Sequence, residues 1–382
     1  MKIGEAFNGN PCRLCGTTER RVVANRGRGG AALTTAICEG CGLVSHAALP
    51  DETEVADFYA ARYRLDYKGD FTPKRKHALR AMRGAIARAQ RLAPLLPARA
   101  RVLDIGASSG EFTFAMGAAG FTASGLEPNW GYAAFGQQEY GCTIHQGGWN
   151  SDEFPRRPVH LVTLNHVLEH LTDPWAAMQQ IRATLESEGL LFIEVPNLAG
   201  LRKQISNAFH TAHIWNFTPE TLIAAAWQAG FVPRAGENLA NTSIVFRKHR
   251  PGDAQPRGAD RSHAAQLIHQ MAQEQTGLAY LASGAPITRR WHRLLRNIGE
   301  HVEVRRHATI RAMAESLLDA AARRPGSPWA SRQHGRVDGA DHAANSAVMR
   351  AKASSSQGSS AATSDCSTVA PHQMRRPGGA SR

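Results

Sequence analysis

Residues 102–113 read Val-Leu-Asp-Ile-Gly-Ala-Ser-Ser-Gly-Glu-Phe-Thr. The pattern predicts a strand that ends on Asp104, a Gly/Ser turn, and a helix that starts after Gly110. A turn of this kind in front of a helix normally makes an anion site, because unpaired backbone N–H groups point at a phosphate. Asp104 reverses that preference. A carboxylate at the mouth of the strand repels a pyrophosphate, so a simple dinucleotide site is excluded and a ligand with a cationic end is favoured. Gly106, Ser108 and Gly110 are small enough for the backbone to close on such a ligand. The next predicted strand, 122–127, ends on Glu127, which can accept from both hydroxyls of a ribose. An adenosine compound with a positive end satisfies both acids, and S-adenosylmethionine has a sulfonium and an ammonium.

A second group of reactive side chains precedes this one. Cys12 and Cys15 form one C-x-x-C pair and Cys38 and Cys41 another, separated by 22 residues, with Gly16 and Gly42 following each pair. Glycine there lets the turn close so that backbone amides point at the thiolates. Four thiolates in this pattern suit tetrahedral zinc. All four positions come from protein, so the expected ion is structural. A segment this short and polar has little core of its own without a metal.

The elements that must position these residues alternate strand and helix from residue 100 to 247. Strands are expected at 101–105, 122–127, 142–145, 161–165, 190–195, 232–237 and 242–247, with helices after Gly110, Trp130, Pro174 and Pro219. The expectation is an α/β fold, a Rossmann-like doubly wound sheet of seven strands covered on both faces. The last two strands have no helix between them and should form an antiparallel hairpin at one edge. A long helix is expected over 74–96, with Leu79, Met82, Ile86, Ala89 and Ala93 as its apolar stripe, and a short one over 54–62. The expected organisation is a zinc-binding module at 1–50, a helical segment covering the substrate at 51–99, a cofactor-binding domain at 100–249, a helical extension at 250–324 and a disordered tail at 325–382.

Charge follows the same division. The net charge is +13, and residues from 250 onward hold 19 Lys/Arg against 10 Asp/Glu. The first 249 residues hold 26 against 22, so the domain with the site residues is near neutral and lacks a phosphate track. No apolar run reaches membrane-spanning length and no apolar leader is present, so a reducing, cytoplasmic setting is expected and six cysteines should not form a disulfide framework.

Residues Asp104, Gly106, Ser108 and Gly110 resemble motif I of the class I S-adenosylmethionine-dependent methyltransferases, with Ser108 in place of a glycine. Residues 165–174, Asn-His-Val-Leu-Glu-His-Leu-Thr-Asp-Pro, resemble a signature of that family's bacterial small-molecule branch. Glu194-Val-Pro-Asn197 resembles its fifth strand. The resemblance spans residues 100–247. It implies that Asp104, Gly106, Ser108, Gly110, Glu127, Asp152 and Asn165 bind the cofactor, with Trp149 and Asp152 beside the adenine. Together with the cysteine segment and Phe58-Tyr59, the chain resembles the sugar C- and O-methyltransferases, which implies a small, sugar-linked acceptor. It departs from the C-methyltransferases after residue 250, where they carry a further α/β domain.

Transfer to a hydroxyl requires a base, and histidine suits that work near neutral pH. His213, in 211–218, resembles the family's base, though Ala212 stands where the family has an orienting glutamate. His170 is the second candidate. His166 is expected only to flank the methionine, and Glu169 to cap or orient. Tyr63 and Tyr67 are candidates to touch the acceptor or to pack. Two other readings stay open: an RNA methyltransferase, although the amino-methyltransferase motif on the fourth strand is absent, and a non-catalytic zinc-bearing scaffold. The Arg-rich helix expected over 287–322 carries Trp291, Leu294, Leu295 and Ile298, a face for membrane-surface contact or for packing back on the core. Oligomeric state is left open.

Overall fold

In the N-terminal segment four short strands, β1 (Ala6–Asn8), β2 (Glu19–Arg26), β3 (Ala32–Cys38) and β4 (Val44–His46), pair antiparallel in chain order. The computed structural model describes residues 1–51, 55, 73–199, 208–256, 258–274 and 285–330, of which 272–274 and 285–294 by backbone only. The chain divides into a unit of residues 1–333 and a second of 334–382, and the second lies outside the described residues. So do Phe58, Tyr59, Tyr63 and Tyr67, most of the helix expected over 54–62, and the side chains of Trp291 and Leu294.

The central sheet consists of β5 (Arg101–Ile105), β6 (Thr122–Glu127), β7 (Thr143–Gln146), β8 (Val159–Asn165), β9 (Leu185–Glu194), β11 (Phe231–Pro233) and β12 (Ser243–Lys248). Their order is β11-β12-β9-β8-β5-β6-β7. The five strands from β9 to β7 run parallel, while β12 is antiparallel to both β9 and β11, which is the expected edge hairpin. The expected strand over 232–237 is shorter because Pro233 has no N–H to continue the ladder. Beyond it the Glu237 carboxylate takes the Val245 N–H at 3.0 Å in place of a strand carbonyl.

The chain leaves β5 toward β6 and β7, then crosses back to β8 on the other side of β5. This reversal opens a crevice at the carboxyl ends of β5 and β8, the usual ligand position in open α/β sheets. Asp104 on β5 sits in register with Thr163 on β8, and Asn165 ends β8 opposite Glu194 of β9.

The helix α1 (Arg75–Leu92) buries Leu79, Met82, Ile86 and Ala89 along one face, as its spacing requires. The helices α2 (Glu111–Ala118), α3 (Trp130–Tyr140), α4 (Pro174–Thr184) and α5 (Pro219–Gln228) follow their expected start signals: side-chain caps at Asn129, Asp173 and Thr218, and Gly110 in the left-handed conformation before α2. A two-residue strand, β10 (Trp215–Asn216), has no counterpart in the sequence reading. It leaves the central domain to pair with β4, so the cysteine sheet has five strands, β1-β2-β3-β4-β10.

The extension contains α6 (Arg261–Glu274), α7 (Ala285–Arg305) and α8 (Ile310–Ala322). The single helix expected over 287–322 breaks after Arg305, where Thr309 caps α8 by accepting the Ala312 N–H at 3.0 Å. Arg75 bonds the carbonyls of Val304 at 3.1 Å and Ala308 at 3.2 Å across the break. Glu300 of α7 is buried under Arg80, at 2.6 and 2.7 Å, while Leu295, Ile298 and Val302 of the same helix are exposed. No helix among the described residues is long and apolar enough to cross a membrane. α8 buries Met313, Ala314 and Leu318, and Ala314 and Leu318 share one apolar cluster with α1 and α2. Trp329 is fully buried in that cluster and donates its indole N–H to the Ala115 carbonyl of α2 at 2.9 Å. The packed chain therefore runs beyond residue 325, where a tail was expected to start.

Trp329→Ala leaves a large cavity and should lower unfolding stability by about 3 kcal/mol or more. Urea denaturation of the full chain reads this directly; a loss under about 0.5 kcal/mol, typical of a surface substitution, would show that the indole does not complete the core.

Candidate active site

The turn after β5 is tightly packed. Gly106 has φ +71°, and a Cβ there would come within 2.4 Å of Val167. Gly110 has φ +88°, and a Cβ there would meet Ile144 at 2.7 Å. Ser108 shares the left-handed conformation at φ +53°, which costs a residue with a Cβ on the order of 1 kcal/mol. Its N–H donates to Glu127 Oε2 at 2.8 Å, and the Asn129 N–H donates to Glu127 Oε1 at 3.1 Å. Glu127 thus pins the turn to the end of β6.

Asp104 is buried, and its Oδ1 accepts from Thr163 Oγ1 at 2.6 Å and Asn165 Nδ2 at 3.0 Å. Burial pushes its carboxyl up to about 6, against the pull of Thr163 and Asn165. The Oδ1 of Asn165 is buried and has no hydrogen-bond partner. The crevice therefore holds an acid and an orphaned acceptor, which suit a donor-rich cation such as an ammonium. Asp152 lies apart from these groups, on an exposed turn where Ser151 Oγ bonds the Gly148 carbonyl at 2.8 Å. Trp149 packs against the main apolar core, and its carbonyl accepts from Gln180 at 2.9 Å.

Beyond β8 the chain brings Glu169, His170 and His213 together, with their ligating atoms within 4.8 Å of one another. The His170 Nδ1 lies 2.7 Å from the Ala212 carbonyl, and a carbonyl only accepts, so the proton is on Nδ1. The His213 ring meets the His170 ring edge-on at 4.8 Å and lies tilted on His210 at 5.0 Å. Burial and the neighbouring His170 push His213 down to about 3, so its imidazole is neutral at physiological pH. Burial lowers His210 to about 4. Position 212 is alanine, and the carboxylate beside the histidines comes from another element: Glu169, which is buried and held ionised by the histidines around it despite its burial. His166 is half-exposed and stands 3.5 Å from Glu169 and 3.3 Å from Glu194. Burial opposes its charge, but the two carboxylates outweigh it and raise His166 to about 9. The sequence reading missed His210 and His46. The Ala212 N–H donates to His210 Nδ1 at 3.1 Å, which sets the turn that presents His213, and His46 Nε2 reaches the His210 carbonyl at 3.4 Å. Nothing in their local sequence marks either residue, because both act through β4 and β10 pairing at long range.

The four cysteines converge as their spacing implies. Cys12 and Cys41 sulfurs are 3.7 Å apart and Cys15 and Cys38 sulfurs 3.5 Å. Tetrahedral zinc with Zn–S of about 2.3 Å places sulfurs about 3.8 Å apart, so the set fits that ion. Backbone amides of Leu14 and Cys15 point at Cys12, and that of Gly40 at Cys38. Hydrogen bonding to Cys12 and Cys38, with burial, pushes the Cys41 thiol up, which is the conflict a dication resolves. Leu14 and Leu43 continue this module into the core around Trp175, Trp215 and Phe217.

Residues 75–235 match the family model described as a methyltransferase domain. This part of the chain is similar to a methyltransferase domain. Among solved structures, the chain is similar to the 1,6-didemethyltoxoflavin-N1-methyltransferase of Burkholderia thailandensis, at 19% identity over 55% of this chain and 96% of that one, with a TM-score of 0.39. It is also similar to the CcbJ methyltransferase of Streptomyces caelestis, at 15% identity over 53% and 100%, TM-score 0.39. A third is the magnesium protoporphyrin IX methyltransferase of Synechocystis, at 16% identity over 51% and 98%, TM-score 0.38. No curated protein matches the chain. The matched residues thus carry the Asp104 crevice at the carboxyl ends of central strands together with the histidine group, while the cysteine module lies outside the match.

Two measurements test this geometry. Cys38→Ser should remove one bound zinc per chain and lower the melting temperature, read by metal analysis beside calorimetry; unchanged zinc content would rule the cluster out as the site. The raised His166 contributes stability that is fully present below its unfolded value of about 6.5. That contribution is lost as pH rises through about 9. Stability should fall over that interval in the wild type, and His166→Gln should flatten the fall in a series of urea midpoints.

Proposed function

We propose that this chain is an S-adenosylmethionine-dependent methyltransferase acting on a hydroxyl of a small molecule. The observation that carries the reading is the buried Asp104 beside the unpartnered Asn165 Oδ1, at the reversal of strand order in a methyltransferase domain. The methyl donor supplies an activated carbon on a sulfonium. The methyl–sulfur bond breaks as the methyl–oxygen bond forms, leaving S-adenosylhomocysteine and a proton from the acceptor. Asp104 and Asn165 receive the cationic end, Glu127 the ribose, and the Gly106–Gly110 turn closes on the methionine. The group of Glu169, His170 and His213 faces the acceptor and manages its proton, with Glu169 balancing the positive charge that develops there.

The motifs at 165–174 and 194–197, with the cysteine segment, favour a sugar or nucleotide-sugar acceptor. The near-neutral domain argues against a nucleic acid, since the basic excess lies after residue 250. Adenosine-contact roles for Ser108 and Gly110 fit the closeness of the turn. The exposed Asp152 is assigned to the adenine amine on resemblance alone.

Calorimetry with S-adenosylmethionine tests the donor site. Asp104→Asn should weaken binding at neutral pH by about tenfold or more, the size of a hydrogen bond to a charged group. Because Asp104 titrates at about 6, wild-type affinity should decline as pH falls below that value and the variant should not share the decline. Equal affinity and equal pH dependence in the two proteins would overturn the assignment. For the acceptor side, His213→Ala should lower kcat by about 10²–10⁴ with donor affinity unchanged, measured on a panel of hydroxylated sugars and nucleotide-sugars. Full turnover in the variant would remove His213 from the chemistry.

A further inference from the structure

Glu169 is 1% exposed, and neither of its carboxylate oxygens has a hydrogen-bond partner. The nearest nitrogens, His166 Nδ1 at 3.5 Å and His170 Nε2 at 3.7 Å, stand beyond good hydrogen-bond distance. A buried carboxylate is costly unless positive charge completes it; His166 supplies one such charge at that distance, and neither carboxylate oxygen is engaged by it in a hydrogen bond. His170 is oriented in a particular way. Its Nδ1 proton is given to the Ala212 carbonyl at 2.7 Å, which turns Nε2 toward Glu169, as a lone pair in the neutral ring or as an N–H in the imidazolium. Metal-ligating histidines are held in the same manner, by a backbone carbonyl on the nitrogen that does not bind the ion. His213 completes the group. Its ring has no hydrogen bond among the described residues and is held by the edges of His170 and His210.

We propose that Glu169, His170 and His213 form a binding site for a divalent transition-metal ion, distinct from the four-cysteine cluster. Two imidazoles and one carboxylate suit zinc, ferrous iron or cobalt, and disfavour magnesium and calcium, which prefer all-oxygen sites. The ligating atoms lie within 4.8 Å of one another. Ligand distances of about 2.0–2.2 Å allow at most about 4.4 Å between two donors, so closing on an ion needs shifts of a few tenths of an ångström. Three protein ligands leave further positions open. In the methyl transfer proposed above, on which this role alone rests, an open position would hold the acceptor hydroxyl and favour its ionised form. Metal binding itself does not depend on that reaction.

The test uses the full chain with its cysteine cluster filled with zinc. Cobalt(II) is then titrated, with uptake read from visible absorption and by metal analysis. The expected result is one further cobalt per chain, with the weak bands of nitrogen and oxygen ligation and no thiolate charge-transfer band. Glu169→Gln and His213→Ala should each weaken this uptake by about tenfold or more, while zinc at the cysteines and S-adenosylmethionine affinity are kept. His213→Ala removes a ring that no hydrogen bond anchors, so it guards against misfolding at the buried Glu169. No cobalt beyond the cysteine cluster, or uptake in both variants equal to the wild type, overturns the proposal; the first result leaves the imidazoliums of His166 and His170 as the charge that balances Glu169. Cobalt uptake without methyl transfer on any acceptor would keep the metal site and count against the methyltransferase reading. Turnover in protein stripped of the second ion would keep the methyltransferase reading and remove the ion's role in it, leaving the metal site to the cobalt titration.

Discussion

Two residues of backbone, Trp215 and Asn216, connect the two halves of this molecule. By pairing with Val44–His46 they extend the cysteine sheet into the segment that presents His213. The ladder is too short to hold by itself, and side chains complete it. The Trp215 indole donates to the Leu171 carbonyl at 2.8 Å, just past His170, and Gln228 reaches the Leu14 carbonyl at 2.7 Å between the first two cysteines. The His46 N–H donates to the Ile214 carbonyl at 3.0 Å. The cysteine cluster at one end of this chain of contacts is thereby tied to the imidazoles at the other. The cysteine module braces the histidine group, and its loss should act there before it acts on the Asp104 crevice.

The two sides of the site are built on opposite electrostatic principles. Asp104 is surrounded by neutral donors and pays a desolvation cost that a cationic ligand relieves. Glu194 is instead bound by charge, between Arg88 and His166, and these hold its carboxyl at about 2 despite its partial burial. One acid is kept available and the other is neutralised, although they lie at the ends of parallel strands separated only by β8. The difference comes from α1, whose Arg88 bonds Glu194 directly and acts on Asp104 only through space.

Much of this was legible in the sequence where the signal is local. The strand ending at Asp104, the Gly/Ser turn and the start of α2 are set by neighbours in the chain, and β5 and β6 have the expected bounds. The cysteine knuckles depend on spacing of three residues and on left-handed glycines, so they too could be read. The group of Glu169, His170 and His213 was legible only in part. Each residue stood in a recognisable motif, but the sequence shows only that Ala212 offers no carboxylate, and no periodicity reports that two segments more than forty residues apart meet. β10 was invisible for the same reason, since a two-residue strand has no alternation to detect. The break between α7 and α8 was hidden because the helical pattern continues through it, and the capping Thr309 is one polar residue in a polar stretch.

Trp329 changes what it means for the central domain to be finished. Its indole fills a core whose other walls come from α1, α2 and α8. During synthesis the strands of the sheet leave the ribosome well before this residue does. Domains commonly fold as they emerge, but here the α1–α2 face stays open until the chain has been made through α8 and the turn beyond it. The extension is therefore a late-arriving lid on an exposed apolar surface, and the interval before it arrives is when the nascent protein most needs shielding from its neighbours.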